Sequence, residues 1–167
     1  ASATVTNKVL VDGDHDELTA AFVTSGTKVT ASSAVVTFDD ATNATMTAKQ
    51  ISDIVGAVTS ASITNKVAIT GDVSDMTAAL VTAGTSATIG TTGTTATVSD
   101  LATLSEANAI AKINNVKASF TLGLSDSSTA LTKDATTISD DMAAVTTDQS
   151  DIKITVSDAK DDSVDAT

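Results

Sequence analysis

The chain has 167 residues, with 9 Lys, no Arg and 21 acidic residues that are nearly all Asp, for a formal net charge of −12. That balance excludes a nucleic-acid binder, because phosphate is held by clustered Lys and Arg, and no apolar run reaches the length of a membrane-spanning helix. No Cys is present, and apolar residues make up 41% while aromatics make up 2%, so the core has to be built in thin layers of Val, Ile, Leu and Ala without disulfides.

In chain order, Val9-x-Val11-Asp12 alternates as a strand does, and Leu18, Ala21 and Phe22 then take helical spacing before Gly26. Val36-x-Phe38-Asp39 predicts a second strand; Ile51, Ile54, Val55 and Val58, following Thr47, predict a second helix. Val67-x-Ile69 with Asp72, then Met76, Ala79, Leu80 and Gly84, repeat the first pair. Between Thr85 and Ser99, Gly90 and Gly93 separate two alternating runs, which reads as a hairpin or a corner. Ala96-x-Val98-x-Asp100 leads into the clearest amphipathic stretch, Leu101, Leu104, Ala107, Ile110, Ala111 and Ile113, ending near Asn114-Asn115. Phe120-x-Leu122 with Asp126 predicts another strand. From Ser125 to Thr137 only Ala130 and Leu131 suggest a buried face, so a longer loop is expected there. Ile138, Met142 and Val145 suggest a fifth helix, and Ile154-x-Val156-x-Asp158 a last strand. The Asp or Ser after each strand is expected to cap the helix that follows.

The chain repeats itself. Ala3 to Asp14 returns as Ala61 to Asp72, and Leu18 to Thr27 returns as Met76 to Thr85, at a constant offset of 58 residues. The strand-then-helix signature recurs about every 29 residues, making the longer period a double unit. Lys153 to Asp162 resembles Lys8 to Glu17 at an offset of 145, so a new unit begins near the end of the sequence. The expected organisation is a repeat over 1–58, a second over 59–116, a degraded third over 117–152 and the start of a further, truncated unit over 153–167. The expected fold is α/β and solenoid-like, with each strand-plus-helix unit burying a narrow face on its neighbours; the alternative is an all-β, pilin-like sandwich. With no initiator Met and no basic-then-apolar leader, the sequence reads as a processed mature protein or a fragment.

Chemistry is sparse. Asp12-Gly13-Asp14-His15-Asp16-Glu17 is the one dense cluster, and Asp12, Asp14 and Asp16 could converge on Ca2+, which takes six to eight oxygens. The cluster does not fit an EF-hand, because its Gly is misplaced and no Glu stands at the required distance. The competing reading is a helix N-terminus, where acids favour the dipole, and Gly71-Asp72-Val73-Ser74-Asp75 supports that by keeping the cap and losing the cluster. Asp39-Asp40, Asp140-Asp141 and Asp161-Asp162 read as solvated turns or first helical turns that could also bind cations between chains. A single His and no Cys exclude a zinc site, and the absence of a nucleophile elbow or a phosphate loop argues against an enzyme. Thr-x-Thr pairs such as Thr95-Ala96-Thr97 do not hold one register from unit to unit, so they are expected to be wet strand residues and not an ice-binding hydroxyl ladder.

These units, Val-x-Val-x-Asp followed by a short Ala/Leu helix and a Gly or Asn stop, resemble the tandem repeats of very large secreted bacterial surface proteins, S-layer-like proteins and adhesins, cyanobacterial ones included. The resemblance implies export, self-association and calcium dependence, although the Gly-Gly-x-Gly-x-Asp nonapeptides of calcium β-rolls are missing. The expected function is a non-enzymatic extracellular structural protein that assembles with itself into a layer, filament or stalk by unit stacking and edge pairing, calcium-assisted. Val5, Val9 and Val11 at one end and Ile152, Ile154 and Val156 at the other are the expected assembly edges. The alternative is a pilin-like subunit that lends Ala1 to Val11 to the next copy as a donor strand.

Overall fold

The structure is a computed structural model in which residues 3–26, 29–82, 84, 86–134 and 136–158 are described. The elements are β1 (Ala3–Thr4), β2 (Leu10–Gly13), α1 (His15–Phe22), β3 (Val29–Thr30), β4 (Val35–Phe38), β5 (Thr45–Thr47), α2 (Ala48–Val55), β6 (Ser60–Ile63), β7 (Ala68–Gly71) and α3 (Val73–Leu80). They continue with β8 (Ala87–Ile89), β9 (Thr94–Val98), α4 (Leu104–Ala111), β10 (Val116–Phe120), β11 (Leu124–Asp126), α5 (Ser128–Leu131), β12 (Thr132–Asp134), β13 (Thr137–Ile138), α6 (Met142–Asp148) and β14 (Ile154–Val156). The fold is mixed α/β, and its helices overturn the all-β sandwich. No helix among the described residues is long and apolar enough to cross a membrane.

Two four-stranded sheets carry the architecture, in the orders β2-β4-β6-β8 and β10-β9-β7-β5, and every pairing in them is parallel. Two further parallel pairs, β1-β3 and β11-β14, flank them, and β12-β13 is antiparallel. Parallel neighbours need a crossover, and short helices are part of these connections. Those helices pack in chain order, α1 on α2, α2 on α3 and α3 on α4, with α6 also against α4. Along each strand one set of side chains turns inward. Val11, Val36, Ala61 and Ala87 form one such row, and Met46, Ile69, Ala96 and Ala118 another. Ala alternating with larger aliphatics lets sheets and helices approach closely, as the composition requires. All three Phe (Phe22, Phe38 and Phe120) are buried in this core.

The 58-residue repeat survives as local structure. Asp14 and Asp72 both cap a helix from extended backbone, and the amides of Val23 and Val81 both close on the carbonyls of Thr19 and Thr77. Gly26 and Gly84 both stand at positive φ, +95° and +81°, where a side chain would be strained. The buried pairs also match, Leu18 and Phe22 with Met76 and Leu80. The sheet partners do not. Leu10 pairs with Val35 and Val35 with Ser60, each step 25 residues. The sequence counterpart of Leu10 is Ala68, eight residues beyond Ser60 and in the other sheet. The repeat therefore exceeds two pairing steps, and equivalent strands pass from one sheet to the next instead of stacking on each other. The expected 29-residue unit is longer than the step that sets the hydrogen bonds.

Other departures are local. β8 and β9 are joined by a corner and lie in different sheets, so the hairpin reading is overturned. Leu101, Leu122 and Ile138, expected on buried faces, are 48%, 50% and 62% exposed and lie outside helices. The stretch expected to be a loop contains α5 and the β12-β13 hairpin.

Candidate functional site

Capping at the helix starts was expected to be local, and half of it is not. Asp14 Oδ1 accepts the amides of Asp16 and Glu17 at 3.0 and 2.8 Å while Glu17 Oε2 accepts from Asp14, a closed capping box. Thr47 and Thr103 make the same box with Gln50 and Glu106. A helix start leaves several amides free, however, and the first one is taken by an aspartate that comes 22 to 30 residues later. Asp40 Oδ2 accepts from the His15 amide at 3.1 Å, Asp100 Oδ1 from Val73 at 2.8 Å, Asp126 Oδ2 from Leu104 at 3.0 Å and Asp158 from Ser128 at 3.0 Å. Each ties one strand-plus-helix segment to the next, and each places a carboxylate at the positive end of a helix. Asp100 and Asp126 thus cap the preceding helix. Their own following helices are capped by Thr103 and Ser127, which corrects the expectation. At α2 the place is filled by backbone: a Cβ on Gly71 would lie 2.7 Å from that of Ala48.

Asp40 is the residue that the sequence reading missed. It is 3% exposed, where a solvated turn was expected; besides the His15 amide it contacts His15 Nδ1 through Oδ1, and its carbonyl accepts from Asn65 Nδ2 at 2.8 Å. Its neighbour Asp39 is exposed. Nothing in the dipeptide distinguishes the two. The signal available was the single His one segment earlier.

The acidic cluster does not converge. Asp12 is exposed on β2, Asp14 is engaged by its own helix, and Asp16 is 80% exposed, 3.5 Å from His15 Nε2. Among the described residues no three His, Asp or Glu side chains come together as a metal would require. Asp140 pairs with Lys133 at 2.9 Å, and Asp141 with Asn108 at 2.8 Å and Lys112 at 3.7 Å. Asp161-Asp162 lies outside the described residues, as does the rest of the expected final unit from residue 159. Comparison with family models, with curated proteins and with solved structures finds no match to this chain.

The strand edges separate into occupied and open ones. On β10 the amides of Ala118 and Phe120 donate to Asp148 Oδ2 at 2.7 Å and Gln149 Oε1 at 2.6 Å. On β8 the Ile89 carbonyl accepts from Asn115 Nδ2 at 2.9 Å. β2 and β14 each end a sheet with no strand on their outer side among the described residues. Leu10 is 76% exposed, Ile154 44% and Val156 51%. The other expected edge residues, Val5, Val9, Val11 and Ile152, are partly buried against the core. Val5 donates its amide to Thr30, and the Val9 carbonyl accepts from Val35.

One threonine row does hold register. Thr47, Thr70, Thr97 and Ser119 are paired in succession across β5, β7, β9 and β10, which corrects the expectation that no such row forms. The parallel row, Thr45, Ala68, Thr95 and Lys117, is interrupted by Ala68 and Lys117. A cleft of about 660 Å³ lies at its end, where Asp148 to Asp151 overhang Thr97 and Ser119, so the face is not flat.

Proposed function

We propose that this chain is a non-enzymatic, extracellular structural segment whose strand-plus-helix units stack as a solenoid and join end to end with other copies. One observation carries the reading. Parallel, in-register ladders terminate at β2 and β14 in strands without a partner, and apolar side chains stand exposed beside those edges: Leu10, Ile154 and Val156. Such edges are pairing templates unless they are covered or charged. The acid-linked helix starts support the stacking, since Asp40, Asp100, Asp126 and Asp158 each bind backward to the preceding segment. The Thr- and Ser-rich outer faces and the absence of Cys suit an exported protein, and the reading requires neither catalysis nor calcium.

The test is sedimentation over a wide concentration range, with negative-stain microscopy, on the whole chain. Concentration-dependent linear oligomers are expected, and Ile154→Lys with Val156→Lys should return them to monomer at unchanged circular dichroism. A wild-type chain that stays monomeric up to its solubility limit defeats the proposal. Repeating the series with Ca2+ and with EDTA shows whether a cation takes part.

A further inference from the structure

The occupied edge on β10 is unlike ordinary helix or turn chemistry. Thr121 donates back to Val98, so in this strand Lys117 and Ser119 face β9, while Ala118 and Phe120 face away. Their amides are the two donors that a further parallel strand would take, and instead they meet the side chains of Asp148 and Gln149. Asp148 is the last residue of α6, and Gln149 follows it in extended backbone. A carboxylate in the last turn of a helix opposes the dipole. Its place is explained by the strand edge, to which two consecutive side chains present acceptors as a neighbouring backbone would. Asn115, held at φ +67°, does the equivalent for the Ile89 carbonyl on β8.

β14 has no such cover among the described residues. Lys153 accepts from Leu124 and Ser157 donates to Asp126, so Ile154 and Val156 turn their backbone groups away from β11. β2 is open on the opposite side, because Val9 and Gly13 bond to Val35 and Asp39 above them. Lys153-Ile154-Thr155-Val156 repeats the spacing of Lys8-Val9-Leu10-Val11. Setting Ile154 opposite Val9 and Val156 opposite Val11 satisfies two requirements at once. Paired residues in a parallel ladder point their hydrogen-bonding groups the same way, and these do. Ile154 pairs with the fully buried Leu124 and Val11 with the fully buried Val36, so both rows are core-facing.

We propose that Asp148 and Gln149 are a two-residue strand mimic that keeps β10 closed, so that copies of this chain join in one way only, the β14 edge of one on the β2 edge of the next. The second copy is the occupant because the junction continues, in the same polarity and register rule, the ladders already formed within the chain. This rests on the end-to-end reading above, and its test has a readout that does not.

The experiment compares the wild-type chain with Asp148→Ala/Gln149→Ala, with Gln149→Ala alone and with Asp148→Asn, which keeps an acceptor. Amide exchange at Ala118 and Phe120 and the sedimentation profile are measured on each. In the double variant, exchange at both amides should rise by about tenfold or more, and the protein should gain branched or laterally thickened assemblies through the freed β10. Gln149→Ala should expose Phe120 alone, which decides the matter if the double variant fails to fold, and Asp148→Asn should behave as wild type. A monomeric wild type whose double variant associates through β10 retains the strand mimic and discards the end-to-end junction. Unchanged exchange at Phe120 in Gln149→Ala, or a double variant with wild-type exchange and association, overturns the proposal.

Discussion

Asp39 and Asp40 are adjacent and chemically identical, and the fold predicts that only one of them matters. Asp40→Ala removes the acceptor for the His15 amide and the contact with His15 Nδ1, and it leaves that amide at a helix start without a partner in a site where Asp40 is 3% exposed. A hydrogen bond to a carboxylate contributes about 1.5–3 kcal/mol, and a stranded buried donor costs a similar amount, so the two contacts together should be worth about 2–4 kcal/mol. For a domain of this size each kcal/mol moves Tm by roughly 2–4 °C, giving an expected fall of about 5–15 °C. Asp39→Ala should stay within about 0.5 kcal/mol of wild type, as exposed substitutions do. Asp40→Asn, which keeps one acceptor oxygen, should fall between them. Thermal unfolding followed by circular dichroism measures all three, and amide exchange locates the loss, which should be concentrated in α1. Equal melting temperatures for Asp39→Ala and Asp40→Ala would refute the idea that aspartates from a later segment hold the helix starts.

Gly123 stands at φ +84°, and a Cβ there would lie 2.1 Å from the Lys153 carbonyl oxygen; Gly123→Ala should therefore cost at least about 3 kcal/mol and release β14, seen as lost protection at Leu124. Asp14→Ala should destabilise by about 1 kcal/mol through the lost helix cap, equally with Ca2+ and with EDTA, whereas Asp12→Asn should leave Tm unchanged; a calcium-dependent difference in either melt would contradict the capping assignment. The Asp134 carboxyl is held below the usual carboxylate range, first by the Thr136 backbone amide and then by the Thr137 and Thr136 hydroxyls. A depressed folded value means that its contribution is present above the unfolded value and is lost as pH falls through the folded one, so the β12-β13 hairpin should loosen only below about pH 4. Carboxyl NMR titrations check this, with Thr136→Ala moving the Asp134 midpoint upward.

The local grammar of this chain was readable without coordinates because it acts over a few residues. Alternation placed β2, β4, β7, β9 and β14, helical spacing with Thr47, Asp72 and the glycines placed α1 to α4, and the 58-residue echo fixed which segments would look alike. An amphipathic pattern, a capping side chain three residues from its amide and a glycine at positive φ are all complete within one turn of chain. Where Leu101 and Ile138 were misplaced, apolar spacing ran on past the helix end into exposed positions.

Sheet membership, the cross-segment aspartates and the split between open and covered edges came only from the tertiary structure. Each depends on how far the chain travels before it meets itself, a step of about 25 residues in the register of the first sheet, which the longer sequence period conceals. Asp40 is buried and Asp39 exposed because a helix start lies beside one of them. No property of the dipeptide carries that information, since the partner stands 25 residues away.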